Sequence, residues 1–495
     1  MHNRNSLLAT TFLGSTLLFG GPAAAENIQI GIGHQSMVTN TVSGGIVLEK
    51  LKLIEKYLPT TGKYADASYN IEFRDYDSGP PITNQMIAGK LEFGVMGDYP
   101  LIVNGAKFQE TGKQQSRFIA VTGYNLKGTG NAIVVPAASS VQSLADLAGK
   151  TISVPVGSAA WGMTLKALRD ADLFDKVSIA NQSPPVGAAN IAAGKIDAHA
   201  DFCPWSEIME FRGSARKIFD GSEAGVPTFH GIVVRDEFAK QYPEVVEAVL
   251  MATLEAQRWI QDDPMGAATQ VAEWTGAEKE VLYLYFSNGG ISTMEASIKP
   301  QWLQALKYDH ALLQKEMKIP DLDFAAWIDA SYLKKAYAAS GLDYEAMVAS
   351  VVTSQPRNPA LKPAEIWFKD KGVVAYDSVA AMLAAALAPT SALAQEERLS
   401  PLPNYNLVQL TVSASAVPAD EFQARTMAIT SCGEAVKLGR ATGYDYALFL
   451  HAEDSFADTG RVALQVLGIA GCFAAPVQAD DDGDHPGGGQ QALDG

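Results

Sequence analysis

The order in which strand-like and helix-like segments follow one another constrains this chain more than any single motif does. Ile28, Ile30 and Ile32 alternate with polar or small residues, the period-two pattern of a strand. A helical stretch from Gly44 to Leu58 follows, then a strand at Tyr69 to Tyr76, a helix near Ile82 to Ala88, a strand at Phe93 to Met96 and a helix from Pro100. The alternation restarts after Gly123, with strands at Asn131 to Val135 and Thr151 to Pro155 on either side of a short helix at Leu144 to Ala148, and then a helix from Ser158 to Asp170. Ile196 to Asp201 and Gly231 to Val234 read as further strands, and after Pro243 the spacing of Val246, Val249, Leu250, Trp259, Leu303, Leu306 and Leu313 turns helical. Strands and helices alternating in this way specify mostly parallel sheets with helices on both faces, so two α/β units and a helical return are expected. Sheets of this kind take ligands in the crevice outside the carboxyl ends of their strands.

Length and charge narrow the class. At 495 residues the chain has room for two to four folded units, and its 47% hydrophobic and 19% charged residues are those of a globular protein with a sizeable core. A net charge of −17 argues against a nucleic-acid scaffold, which needs a basic footprint. Residues 1–25 carry His2 and Arg4, an apolar run from Leu7 to Phe19 and Ala23-Ala24-Ala25 before Glu26, the three parts of a secretory signal peptide, so export is expected with cleavage near Ala25. Cys203, Cys432 and Cys472 are too few for a disulfide-built scaffold, and whether Cys432 and Cys472 pair stays open. No Cys-x-x-Cys, Gly-x-Ser-x-Gly elbow, phosphate loop or dinucleotide fingerprint is present, and His34, His199 and His230 are scattered, so neither a metal nor a cofactor is indicated.

Several segments, taken in order, carry a family resemblance. They are Gly79-Pro80-Pro81 with 88–98 (AGKLEFGVMGD), 143–152 (SLADLAGKTI), 156–160 (VGSAA), 193–198 (AGKIDA) and Pro243-Glu244-Val245-Val246. Their order and spacing over residues 27 to 350 resembles the periplasmic substrate-binding proteins of ABC importers that handle nitrate, sulfonates and taurine. The resemblance implies a two-lobed, type II periplasmic-binding-protein fold in which each lobe is a mostly parallel sheet flanked by helices. Lobe 1 would comprise residues 27–130 and 228–355, and lobe 2 residues 131–227, joined by two crossovers that let them close on a ligand. It further implies a monomer without enzymatic activity or cofactor, a small anionic solute, and separate permease and ATPase subunits as partners. A ligand sensor for a membrane receptor, or an exported enzyme on the same fold, is the alternative.

Chemistry locates the ligand. Gly157-Ser158-Ala159 joins a predicted strand to a predicted helix, where the first N–H groups lack intrahelical partners and the helix dipole favours an anion. Ser158 serves equally as a plain N-cap. Gly97-Asp98-Tyr99 forms the corresponding turn of the first unit, with Asp98 as the expected cap and Tyr99 offering both a ring and a hydroxyl. His34 and Gln35 follow the first strand at its carboxyl end. Trp161, Asp201 and Trp205 are further candidates from the second unit, and Tyr124, Asn125 and His230 flank the expected crossovers as hinge or ligand residues.

The resemblance fades near Val352. Residues 356–395 read as a Pro-rich linker followed by an alanine-rich segment that looks like a second signal sequence, 396–478 as a small unrecognised domain, and 479–495 as an acidic, Gly-rich disordered tail. The fold of this C-terminal extension is not specified by its pattern.

Overall fold

The computed structural model describes residues 26–112, 114–287 and 290–350, together with five strands beyond residue 350. Ten strands build the main body: β1 (Asn27–His34), β2 (Ser68–Asp75), β3 (Phe93–Gly97), β4 (Ser116–Asn125), β5 (Ala132–Pro136), β6 (Thr151–Val154), β7 (Ser178–Asn181), β8 (Ala198–Asp201), β9 (Ala215–Asp220) and β10 (Thr228–Arg235). They form two five-stranded sheets, ordered β2-β1-β3-β10-β4 and β7-β6-β8-β5-β9. In each sheet the first three strands pair parallel, and only the fourth, β10 or β5, runs against its neighbours. The fold class expected from the alternation is therefore the observed one: two mostly parallel sheets flanked by helices. The opposed strand of each sheet is the one that enters from the other lobe.

Local chemistry explains where the reading of the elements differs from the structure. The expected helix from Gly44 to Leu58 is instead a 3-10 turn at Thr39–Gly44, a short α-helix at Ile46–Leu51 and a second turn at Ile54–Lys56, because Lys52 enters the left-handed region at φ 51° and stops the helix. Strands β4, β7 and β9 escaped the pattern. Phe118, Ile119, Ala120 and Val121 of β4 are all buried, so they show no alternation, and β7 is a four-residue edge strand.

Two chain crossings, at 126–131 and 221–227, connect the sheets, and they lie against each other. A Cβ on Gly128, which sits at φ +90°, would stand 2.4 Å from the Val226 carbonyl oxygen, and one on Gly221 would stand 2.1 Å from the Gly128 oxygen. The Gly221 N–H donates to the Asn131 oxygen at 2.7 Å. Backbones this close leave no space for side chains, so the two crossings form one paired strap between the lobes. Beside it, Asn40, Asn125 and Ser292 bond to one another through their side chains, and Asn125 Nδ2 donates to the Thr129 oxygen.

The helical return packs on the first sheet. Pro243–Asp262 buries Val245, Val246, Val249, Leu250 and Ile260 on one stripe, as the spacing required. Pro300–Met317 buries Trp302, Leu306 and Leu313, with Trp302 rather than Leu303 at the centre, where it lies under Tyr124 at 4.6 Å between ring centroids. Lys299, 1% exposed, anchors the end of this region: its Nζ donates to the Met347 oxygen and the Ser350 hydroxyl and pairs with Glu295 at 3.1 Å.

Beyond residue 350, Ala364–Phe368 and Gly372–Tyr376 form an antiparallel hairpin, and Val408–Ser413, Arg461–Leu467 and Phe449–Glu453 an antiparallel sheet in that order. The expected signal peptide at residues 1–25, the alanine-rich run from Ala380 to Ala394, Cys432, Cys472 and the acidic tail lie outside the described residues.

Candidate ligand-binding cleft

The carboxyl ends of the parallel strands of both lobes open onto one cavity of ≈ 360 Å³. The first lobe contributes Gln35 after β1, Ser78 to Pro81 after β2, and Gly97 and Pro100 after β3, with His230 from β10. The second contributes 155–159 after β6, Asn181 to Ser183 after β7, and Phe202 after β8. No Asp, Glu, Lys or Arg is among the described lining residues.

Four helices begin at this cavity. In Asp98–Thr111, capped by Gly97, the Tyr99 N–H is taken by the Asp98 carboxylate and Pro100 has no N–H to offer. The other three start in two different ways. At the start of Ala159–Asp170, Gly157 takes φ +84°, and Ser158 Oγ accepts from the Trp161 N–H at 3.3 Å. The first intrahelical bond is Gly162 N–H to the Ser158 oxygen, so the Ala159 and Ala160 N–H groups have no acceptor within the helix. Asn181 holds the preceding loop by accepting from the Val156 N–H at 3.1 Å. The helices Gly79–Ile87 and Pro184–Ala192 instead carry two prolines each in their first turn, which removes donors and presents rings. Their N-cap residues, Ser78 and Ser183, make no side-chain capping bond, which leaves both hydroxyls to the cleft. Donors and dipole therefore concentrate at Ser158–Ala159, and Pro80, Pro81, Pro100, Pro155 and Phe202 supply apolar wall.

Of the residues singled out from sequence, Gln35, Gly97, Gly157, Ser158, Ala159 and His230 come together in this lining. Burial pushes the His230 imidazole down to about 3, so it is neutral, and its Nδ1 has no partner within the protein. His34 lies behind the cleft, edge-on to Phe73, with its pKa lowered by burial against the opposing pull of Asp75 and Glu49. Asp98 does not cap its helix: Gly97 is the N-cap, and Asp98 is the first helical residue, accepting from the Tyr99 N–H, the Thr228 hydroxyl and the Phe229 N–H. It ties this helix to β10. Tyr99 and Trp161 meet edge to face across the lobes, with centroids 6.3 Å apart. Tyr124 and Asn125 belong to the packing beside the strap, and Trp205 opens the helix Trp205–Phe211, partly buried and outside the lining. Asp201 is fully buried beneath the cleft, where Oδ2 faces His199 Nε2 at 2.9 Å and Oδ1 accepts from the Phe202 N–H, while His199 Nδ1 meets the Ser153 hydroxyl at 2.8 Å.

Asn181, Gln182, Ser183, Phe202 and Pro155 were not anticipated. Asn181 ends a strand too short to register, but Ser183-Pro184-Pro185 stands before Ala193-Gly194-Lys195 much as Gly79-Pro80-Pro81 stands before Ala88-Gly89-Lys90, and that correspondence would have exposed it. Among the described residues no group of three or more His, Cys, Asp or Glu side chains could hold a metal ion, and no helix is long and apolar enough to cross a membrane.

Residues 75–267 match a family described as NMT1/THI5 like. The taurine-binding periplasmic protein of Escherichia coli K12 is 29% identical over 198 residues, which is 39% of this chain and 58% of that protein. The putative aliphatic sulfonates-binding protein of the same organism is 23% identical over 312 residues, covering 62% of this chain and 91% of the relative. This chain is similar to periplasmic sulfonate- and taurine-binding proteins. Among solved structures, the alkanesulfonate-binding protein of Xanthomonas axonopodis pv. citri, bound to MOPS, superposes with a TM-score of 0.52 at 22% identity, over 62% of this chain and 99% of that one. At that identity the likeness speaks for the fold alone, and the fold is the two-lobed type II binding-protein fold. The alignments to the E. coli relatives cover 198 and 312 of the 495 residues, and the chain spans 58% of the length of the first of them.

Proposed function

We propose that the chain is the exported solute-binding component of an ABC importer, and that it captures an organic anion with one charged head and an apolar body for delivery to a membrane permease. The observation that carries this reading is the division of the cleft: unpartnered N–H groups and a helix dipole at Ser158–Ala159, facing proline and phenylalanine surface, with no charged side chain among the described lining residues. An anion is stabilised there by N–H groups and a dipole that need no counter-charge. An ammonium group would find no carboxylate, which places taurine behind an alkyl or aryl sulfonate. At ≈ 360 Å³ the cavity holds about twelve water volumes of ~30 Å³ each, more than nitrate needs and within the range of organic-ligand pockets.

A thermal-shift screen with butanesulfonate, taurine and nitrate tests the assignment. Butanesulfonate should raise the melting temperature most, because ligand held only by the folded form adds stability as its concentration exceeds Kd. Ser158→Ala should weaken that response. Larger shifts with cationic or neutral solutes, and none with any anion, would show the reading to be mistaken.

A further inference from the structure

The two lobes meet the cavity with different polar groups. On the second lobe the side-chain amides are spent within the protein: Asn181 Oδ1 accepts from the Val156 N–H at 3.1 Å, and Gln182 Oε1 accepts from Asn190 Nδ2 at 3.2 Å. On the first lobe, Ser78 follows β2, Gln35 follows β1, Gly97 ends β3 and His230 pairs with Gly97 from β10. These strands are neighbours in that order, so the residues form one row along the rim of the sheet, and all of them line the cavity. The row is uncharged and polar. Ser78 makes no capping bond, and Gln35, 3% exposed, adds an amide while its backbone oxygen accepts from the Val38 N–H and the Thr41 hydroxyl.

His230 sets the polarity of this row. Its ring is 4% exposed and neutral, and Nδ1 is buried without a partner. A neutral imidazole carries one N–H and one bare nitrogen. A buried N–H without an acceptor is tolerated less well than a buried lone pair, so the proton belongs on Nε2. That nitrogen is the ring atom nearest Gly97: a Cβ there would stand 3.3 Å from Nε2, against 3.6 Å from Cδ2 and 3.8 Å from Cε1. Gly97 lines the cavity, so its missing side chain uncovers the Nε2 edge, and His230 presents an N–H donor to what lies in the cleft.

A donor beside a hydroxyl and an amide suits a group that accepts one hydrogen bond and gives another. An ammonium group would set its own donors against the Nε2–H. A second anion gains nothing from the helix that starts in this row, because the Asp98 carboxylate already takes the Tyr99 N–H and Pro100 has none. A hydroxyl meets both conditions. We propose that the solute ends, beyond its apolar body, in a hydroxyl group that accepts from His230 Nε2 and donates to Gln35 or Ser78, so that hydroxyalkanesulfonates are the preferred class. The proposal rests on the anion reading above for the charged head; the hydroxyl end is argued from the first lobe alone.

The sign of one comparison decides the matter. A hydroxyl moved from water onto an apolar wall without a partner weakens binding by about fivefold or more, whereas one that gains partners strengthens it by about 3- to 10-fold. Calorimetric titration of the full chain with ethane-, propane- and butanesulfonate, each beside its terminally hydroxylated counterpart, should show that gain in at least one pair. 2-Hydroxyethanesulfonate should also bind more tightly than taurine, which carries an ammonium group in place of that hydroxyl. In His230→Phe the ratio of the paired affinities should reverse, and His230→Gln, which keeps an N–H, should recover part of the gain. Because the ratio compares two solutes on one protein, a general loss of cleft geometry cancels, and should His230→Phe fail to fold, the solute pairs on the unaltered protein still decide.

Hydroxylated solutes that bind no more tightly than their partners in every pair overturn the proposal, as does taurine ahead of 2-hydroxyethanesulfonate. An unchanged ratio in His230→Phe would place His230 on the charged head instead, and butane-1,4-disulfonate binding ahead of 4-hydroxybutanesulfonate would make the first-lobe row a second anion site; either result overturns it too. If the plain alkanesulfonates bind and the hydroxyl adds nothing, this inference falls and the anion reading stands. If no sulfonate binds, the anion reading has failed and takes this inference with it.

Discussion

Closure of the cleft should be lost selectively by adding one methyl group at Gly162. A Cβ built there would stand 1.9 Å from the Tyr99 hydroxyl oxygen, 2.2 Å from Cζ and 2.9 Å from Cε1. These are the end and edge of a ring that is 3% exposed and held edge-on by Trp161, so it has no free space to retreat into. Overpacking of a closed site of this kind costs about 1–3 kcal/mol. Gly162 belongs to the second lobe and Tyr99 to the first, so the penalty exists only when the lobes meet and vanishes when they part. Gly162→Ala should therefore weaken butanesulfonate binding by about 5- to 150-fold, the equivalent of that range. The ligand-free melting temperature should change little, and small-angle scattering should show a larger radius of gyration in the presence of solute than for the unmodified protein. An affinity within twofold of the original would refute the reasoning. So would a large loss of ligand-free stability with affinity preserved, since that would place the clash inside one lobe.

Three further outcomes follow from side chains away from the cleft. Burial alone would raise the Asp236 carboxyl, but its bonds from Arg117 at 2.7 Å and Lys240 outweigh burial and hold its pKa below the usual range; its stabilisation is present above the unfolded value, near pH 3.9, and is lost as pH falls through the folded one. Asp236→Asn should thus cost ~1 kcal/mol at neutral pH and flatten the acid limb of a urea-stability profile against pH, whereas an unchanged limb would remove Asp236 from the acid response. Lys299→Met should lose about 3–5 kcal/mol in the same urea assay, because it strands the Glu295 carboxylate and the carbonyl end of the helix Tyr344–Ala349, and a loss under ~1 kcal/mol would mean that Lys299 is not a buried anchor. Truncation after residue 355 keeps every partner of Lys299 and should leave the thermal response to butanesulfonate intact, whereas a chain ending at residue 343 should behave like Lys299→Met.

The sheets were legible because exposed and buried positions alternate where a strand has one open face, and the site only where a strand end or a helix start carries its own chemistry. Gly157-Ser158 announced itself, since a glycine and a capping hydroxyl between a strand and a helix have few other uses. Asp98 misled for the same reason: an acidic residue at a helix start reads as a cap, and nothing in the sequence shows that β10, 130 residues later, offers Thr228 and Phe229 to it instead. Tyr99, Tyr124 and Trp161 are aromatic residues that serve equally in a binding wall and in packing, and only the tertiary arrangement assigns them to the seam between the lobes and the base of the strap.

The two lobes also explain each other. In each, a proline pair starts the helix between the edge strand and the inner strand, and Ala-Gly-Lys ends it: Gly79–Ile87 runs from β2 to β3, and Pro184–Ala192 from β7 to β8. Both ends close in the same way. Gly89 and Gly194 take φ +68° and +61°, and the N–H groups of Lys90 and Lys195 reach back to the oxygens of Gln85 and Asn190, each at 2.9 Å. A left-handed residue at that point turns the chain down into the central strand, and Gly adopts it without steric cost. The proline pairs follow from the opposite requirement. Each helix aims its start at the cleft, as do Asp98–Thr111 and Ala159–Asp170, and four complete N-termini there would present four sets of donors competing for one small anion. The Asp98 start spends its Tyr99 N–H on its own carboxylate and carries Pro100, so removing donors from the proline-started pair leaves Ser158 as the single strong anion position and turns that pair into apolar walls against which the rest of the solute can lie.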